Sequence, residues 1–385
     1  MPQSSRRSVF IAASAGMFVF GITLAILGAL FGLPAMRERI HADLAQQGDI
    51  FLMLYLGIFV STVIVGPIID SFGDKIVLIT SAACVVTGLL GFIVARSFLT
   101  ATVAAFVLGF GGGGLNTAAN ALVADLYPDD RGAMLNLLGV FFGVGALIVP
   151  LLASSITLHV LIIATALAVL CTIFYPILPF PPARESAGFS IFASIRAVKY
   201  PGVLLFALLL FCESGNESAI AGWTSTYAGS LGAAPRVATW ILAAYWAGLM
   251  IGRIAGARLL AIMRKERLVF ASGVGSAIGT AILLGGPSLI TLAIGAAIIG
   301  LSFAAIYPTT LAIAADRYQR LAGTIFGLLF AVGLIGGMLF PFAIGHLSEH
   351  YGMRAAMLLP LVGALAIVLF AATIARKERR LPAGR

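Results

Sequence analysis

Apolar residues run along this chain in long blocks, broken at near-regular intervals by short clusters of proline, glycine and charge. The blocks fall near residues 9–33, 50–70, 75–96, 99–125, 133–157, 158–179, 202–229, 236–258, 267–285, 288–313, 320–346 and 352–375. Most match or exceed the roughly 20 apolar residues that a helix needs to cross a bilayer. The pattern predicts an all-α membrane protein of twelve transmembrane helices, with both termini on one side.

Composition sharpens that picture. Hydrophobic residues make up 61% of the 385 and charged residues only 10%, against roughly 25% in soluble domains. The net charge of +9 is placed with a purpose, because 19 of the 24 basic residues fall at the termini or in the connections on the side of the termini. Lysine and arginine collect on the cytoplasmic side, so both termini are expected in the cytoplasm of a cell-membrane protein. The charge thus reports topology, and nucleic-acid binding is a poor reading of it. The apolar run after Arg6 and Arg7 is too long for a cleaved leader and reads as the first span. Cys84, Cys171 and Cys212 lie in separate spans and suggest neither a disulfide framework nor a metal set.

The chain also repeats. Ala124-Asp125-Leu126-Tyr127 and Ala315-Asp316-Arg317-Tyr318 are 191 residues apart, and the same offset carries Gly145 onto Gly336 and Pro150 onto Pro341. That superimposes the fifth span on the eleventh. Two six-helix halves, residues 1–179 and 202–385, are expected to be pseudo-symmetric, as in carriers built around a midplane site. Residues 180–201 form the connection, a cytoplasmic linker with an amphipathic stretch at 189–198 lying on the membrane surface.

Glu213 and Glu217 are the two acidic residues set well inside an apolar span. A carboxylate at that depth costs roughly 2.5 to 3.5 kcal/mol and persists where it faces a polar cavity or carries a proton. Four residues is one helical turn, so the two share a face about 6 Å apart along the axis. Two carboxylates in a poorly solvated site disfavour double ionisation, which makes the pair the candidate for proton coupling. Gly215 between them is expected to let the helix unwind beside the cavity.

Gly66-Pro67-Ile68-Ile69-Asp70-Ser71-Phe72-Gly73-Asp74-Lys75 after the second span, with a degenerate copy, Gly252-Arg253-Ile254-Ala255-Gly256-Ala257-Arg258, after the eighth, resembles the loop signature of the major facilitator superfamily. Ser71 and Asp74 stand where that signature usually has basic residues. Within the superfamily the chain is most similar to the fucose/galactose/glucose proton-symporter group. The segments that carry this are Leu115-Asn116-Thr117-Ala118-Ala119-Asn120, Leu135-Asn136 with Phe142-Gly143-Val144-Gly145, and Gly215-Asn216-Glu217 with Gly222-Trp223 and Tyr227. One departure stands out. The resemblance implies an acid before the Thr-Ala-Ala-Asn run and another in the first span, whereas here Asn116 occupies the one position and Val9 to Gly32 contains none.

The amides Asn116, Asn120, Asn136 and Asn216 are candidates for binding a hydroxyl-rich solute. Trp223, Tyr227 and Trp246 offer faces for a sugar ring, and Tyr307, next to Pro308, offers a phenol near a kink. The resemblance implies gating at the cytoplasmic ends, assigned to Asp70, Asp125, Arg131 and Arg253, with Arg131 or a helix terminus as the expected partner of Asp70. Two motif matches carry nothing. The glycines of 109–114 mimic a dinucleotide fingerprint inside an apolar helix, where close packing explains them. His346-Leu347-Ser348-Glu349-His350 fits a zinc-peptidase spacing but lacks a third ligand at a helix end.

The expected function is alternating-access transport of a sugar or similar small polar solute, coupled to protons. No cofactor, no metal and no enzymatic activity are expected, and the carrier is expected to act as a monomer in the lipid bilayer. The competing readings are an exporter of amphiphilic compounds and, from another class, a non-transporting membrane sensor. The tails and linker are short for the soluble domain a sensor needs, and no nucleophile, base or metal set gathers as an enzyme requires.

Overall fold

In the computed structural model, residues 3–153, 157–181, 202–286, 288–318 and 322–380 are described, and helix accounts for nearly all of them. The amphipathic stretch assigned to the linker lies outside the described residues. Twelve helices among the described residues are long and apolar enough to cross a membrane. They are α1 (Gln3–Phe31), α2 (Leu44–Phe72), α3 (Asp74–Val94), α4 (Phe98–Leu126), α5 (Arg131–Ala153) and α6 (Thr157–Phe174), then α7 (Val203–Ser230), α8 (Pro235–Leu259), α9 (Lys265–Gly285), α10 (Leu289–Arg317), α11 (Ala322–Tyr351) and α12 (Leu358–Arg380). Each predicted span has its helix. The loop signature after the eighth span is a correction, because α8 runs on through Gly252 to Leu259.

Local chemistry sets the helix ends. Asp43 accepts from the backbone N–H of Gln46 at 2.7 Å and Gln46 returns a bond to the Asp43 N–H at 3.1 Å, a reciprocal cap that starts α2. Ser97 and Thr100 do the same for α4. The connection from α2 to α3 is a single residue, Gly73, at φ 82°, where a side chain would be strained. Two of the basic residues that break the charge rule have partners at helix ends. Arg39 donates to the Ile93 carbonyl at the end of α3, and Arg354 donates to the Leu284 carbonyl at the end of α9, 3.1 Å away. Both satisfy carbonyls that have no partner within their own helix.

The two halves share one packing scheme. In the first, α1 packs on α4 and α5, α4 on α2 and α3, and α3 on α6. In the second, α7 packs on α10 and α11, α10 on α8 and α9, and α9 on α12. The repeat extends to single residues, since a Cβ on Gly145 would meet the Phe18 carbonyl and a Cβ on Gly336 the Phe211 carbonyl. The glycines of α4 serve this close approach: Gly109 lies on Leu54 of α2, Gly111 on Ser81 of α3 and Gly112 on Thr23 of α1. Absent side chains let the backbones touch, which is how small residues hold membrane helices together.

Between the halves α2 packs on α11, α5 on α8, and α1 on α7. The α1–α7 crossing is the tightest. A Cβ on Gly28 would strike the Ala221 carbonyl, Gly32 faces the Ser225 side chain, and the Ser225 hydroxyl donates to the Gly28 carbonyl. Beside it Phe51 meets Phe31 edge-to-face and Trp223 at a tilt, each at a centroid spacing of 5.5 Å, and the Trp223 indole N–H donates to the Pro341 carbonyl at 3.0 Å. Farther out, Asp49 of α2 meets His346 of α11 at 3.0 Å. These contacts close the seam between the halves at the end away from the chain termini.

Candidate functional site

Below that closure lies a cavity of about 510 Å3. It is lined by α1, α2, α4, α5, α7, α8, α10 and α11, while α3, α6, α9 and α12 contribute no lining residue among those described. Asn136, Ala257 and Leu260 line it and are exposed, so it opens at the end that carries the termini.

Glu213 and Glu217 both lie on its wall, at the middle of α7. Glu213 is fully buried, and Glu217 is partly accessible. No N–H or hydroxyl among the described residues donates to either oxygen of Glu213. Glu217 lies one helical turn farther along the same face, and both carboxyls feel the guanidinium of Arg253 across space. Helical spacing produces this face: 213, 214, 217 and 218 all point into the cavity. The unwinding expected at Gly215 does not occur. α7 is continuous there, and Gly215 makes room for the Phe340 ring, which a Cβ would approach to 2.6 Å.

Asn116 and Asn120 line the opposite wall from α4. Asn120 donates to both the Asn116 carbonyl and its side-chain oxygen, at 2.8 and 2.9 Å. Asn136 lies at the mouth and Tyr307 on α10, its ring 5.7 Å from Phe330. Four other candidates lie away from the lining. Asn216 is fully buried against Gly363 of α12, Trp223 and Tyr227 are buried toward the closed end, and Trp246 packs behind Phe142 at 6.0 Å. Residues 216, 220, 223 and 227 form one stripe at spacings of four, three and four, and that stripe faces neighbouring helices instead of the cavity.

Arg253, expected at a cytoplasmic gate, lines the cavity itself. Asp70 and Arg131 sit at the open end and are not paired with each other among the described residues, Asp125 is exposed there, and Asp316 pairs with Lys265 at 2.6 Å. His346 of the zinc-like motif is taken up by Asp49, and no metal-holding group is found among the described residues. Sequence reasoning missed Tyr55, Thr62, Ser214, Ser218 and Thr309, all on the wall. Tyr55 could have been found by the argument that picked Tyr307, a phenol at mid-depth of an apolar span.

Twelve spans, a helix packing scheme that recurs along the chain and a mid-depth cavity open at one end define a multi-pass membrane transporter. The family model of the Major Facilitator Superfamily matches residues 13–231 and 206–385, and the chain belongs to that family. This fold is that of transporters, not of enzymes. Among curated proteins it is similar to Protein TsgA of Shigella boydii, 23% identical over 352 residues and 88% of each chain. It is also similar to Sodium-dependent glucose transporter 1 of Xenopus laevis, 22% identical over 371 residues, 86% of this chain and 74% of that one. Among solved structures, the nucleoside transporter NupG superimposes with a TM-score of 0.79 at 14% identity, covering 97% of this chain and 99% of the other. The E. coli fucose:proton symporter FucP gives 0.67 at 21% identity, over 96% and 99%. At those identities the solved structures speak for the fold.

Proposed function

We propose that this chain carries a small hydroxylated solute, a sugar or a nucleoside-like molecule, across the cell membrane together with protons, by alternating access. The observation that carries the reading is the Glu213–Glu217 pair, at mid-depth on the wall of a cavity that reaches one face. Two carboxyl groups one turn apart on a poorly solvated wall disfavour double ionisation, so such a pair is a natural proton carrier. Asn116, Asn120, Asn136, Tyr55 and Tyr307 supply donors and acceptors for hydroxyls. The bundles 1–179 and 202–385, joined by 180–201, rock about the α1–α7 crossing so that the pair meets each side in turn. With both termini in the cytoplasm, the arrangement described here is open inward. Asp70, Asp125 and Arg131 then close the inner end in the opposite arrangement. Names among the relatives and neighbours, a glucose transporter, a nucleoside transporter and a fucose:proton symporter, support this solute class.

The apolar part of the lining, with Met17, Phe20, Phe142 and Phe330, favours a second reading, an exporter of amphiphilic compounds. A thermal-shift screen of the purified protein separates the two, since a ligand that binds the folded state stabilises it. Sugars, polyols or nucleosides should raise the melting temperature. Stabilisation by amphiphiles alone would replace the proposal with the exporter.

A further inference from the structure

Among the described residues Arg253 is the one cation on the cavity wall, which it shares with the two acids. It lies six residues before the end of α8, about 9 Å in from that end. Its guanidinium reaches across to the other half, 5.7 Å from the centre of the Phe142 ring and close enough to Gly139 that a Cβ there would sit 2.6 Å from a guanidinium nitrogen. No carboxylate oxygen comes within 4.0 Å of it among the described residues. It acts on Glu213 and Glu217 only across space. The residue is exposed to the water of the cavity, so an anion entering from the open end can reach its guanidinium. Its planar donors suit a carboxylate, which they bind bidentately.

We infer that the transported solute is a polyhydroxylated monocarboxylate, that Arg253 receives its carboxylate, and that each anion enters with one proton. The inference rests on the carrier reading above. Charge counting leads to it: with one proton on the glutamate pair, the empty cavity holds one negative and one positive charge and is neutral. A monoanion bound at Arg253 leaves one negative charge in excess, and a second proton, taken from bulk water onto the ionised carboxylate of the pair, restores neutrality. A dianion would stay uncompensated, and a neutral sugar would offer the guanidinium only hydroxyl acceptors, with no anion to match its charge. The other titratable groups around the pair are the phenols of Tyr55 on α2, Tyr245 on α8 and Tyr307 on α10. α1, α4, α5 and α11 bring no titratable side chain to the lining.

The test uses the full chain in liposomes, with galacturonate and its neutral counterpart galactose as probes. An inward proton gradient should accumulate galacturonate, and clamping the membrane potential should not change the rate, because a proton and a monoanion together carry no charge. Galactose should not accumulate. Arg253→Gln should lower galacturonate uptake roughly tenfold or more, and Arg253→Lys, which keeps the charge without the planar fork, should fall between. If Arg253→Gln fails to fold, the wild-type contrast between acid and neutral sugar decides alone. Potential-dependent uptake of galactose or a nucleoside, undiminished in Arg253→Gln, overturns the inference and leaves the carrier standing. Absence of uptake of every hydroxylated solute, acidic and neutral, overturns both.

Discussion

The two bundles repeat one set of helix contacts and give the cavity opposite chemistry. An offset of 193 residues carries Phe18 onto Phe211, Gly28 onto Ala221 and Gly32 onto Ser225, the residues that meet in and between the halves. The same offset carries Phe20 onto Glu213 and Leu24 onto Glu217. All four line the cavity, so equivalent positions are apolar in one half and acidic in the other. The amides Asn116, Asn120 and Asn136 lie in the first half, and both carboxyls and the guanidinium lie in the second. Backbone approach is fixed by packing, and a change there disturbs a whole seam. A side chain facing the cavity touches little, so its chemistry can diverge without disturbing the helices.

The largest effect should come from breaking what the halves share. Gly28→Val puts a branched side chain into the Ala221 carbonyl, and solute uptake should drop to background. A binding assay on the same protein should still detect ligand from the open end. Next comes the acidic half alone. Glu217→Gln or Glu213→Gln should abolish accumulation driven by a pH gradient and spare exchange between preloaded vesicles. Unchanged accumulation in both would remove the pair from the mechanism. Moving the carboxyl across, as Leu24→Glu with Glu217→Leu, should not restore accumulation, because Arg253 stands on the helix beside α7. Rescue would show that depth alone matters.

Smaller effects belong to the neutral half. Asn120→Ala should weaken apparent affinity roughly 3- to 10-fold, the worth of one neutral hydrogen bond, and leave the pH dependence as it was. A flattened pH profile would place proton chemistry in the first half as well. The smallest change concerns the outer seam, where Asp49 and His346 are 34% and 42% exposed. Asp49→Asn should move stability by about 1 kcal/mol or less, read as a melting-temperature shift of a few degrees at most.

Hydropathy made the twelve spans legible, since each block is long and bounded by charge. It fell short at helix ends such as Tyr351, where polar residues continue a helix beyond its apolar part. The glutamate pair was legible because a carboxylate inside an apolar run has few explanations. The hydroxyls on the same wall were not. Thr62 bonds the Ile58 carbonyl at 2.8 Å and Ser218 the Gly215 carbonyl at 2.9 Å, the ordinary use of such residues within a helix. Asn216, Trp223 and Tyr227 illustrate a different limit. Sequence gives depth along a helix, and which way a residue points depends on neighbours that the sequence does not name.

The α1–α7 crossing also determines how far things move. Ala221 lies one turn beyond Glu217, about 6 Å along the axis, whereas the mouth at Asn136 and Leu260 is much farther from that point. A fulcrum placed there works as an unequal lever: a modest tilt swings the rims widely and barely shifts the carboxyls. Proton and cargo would therefore stay almost still while the water on either side of them changes places.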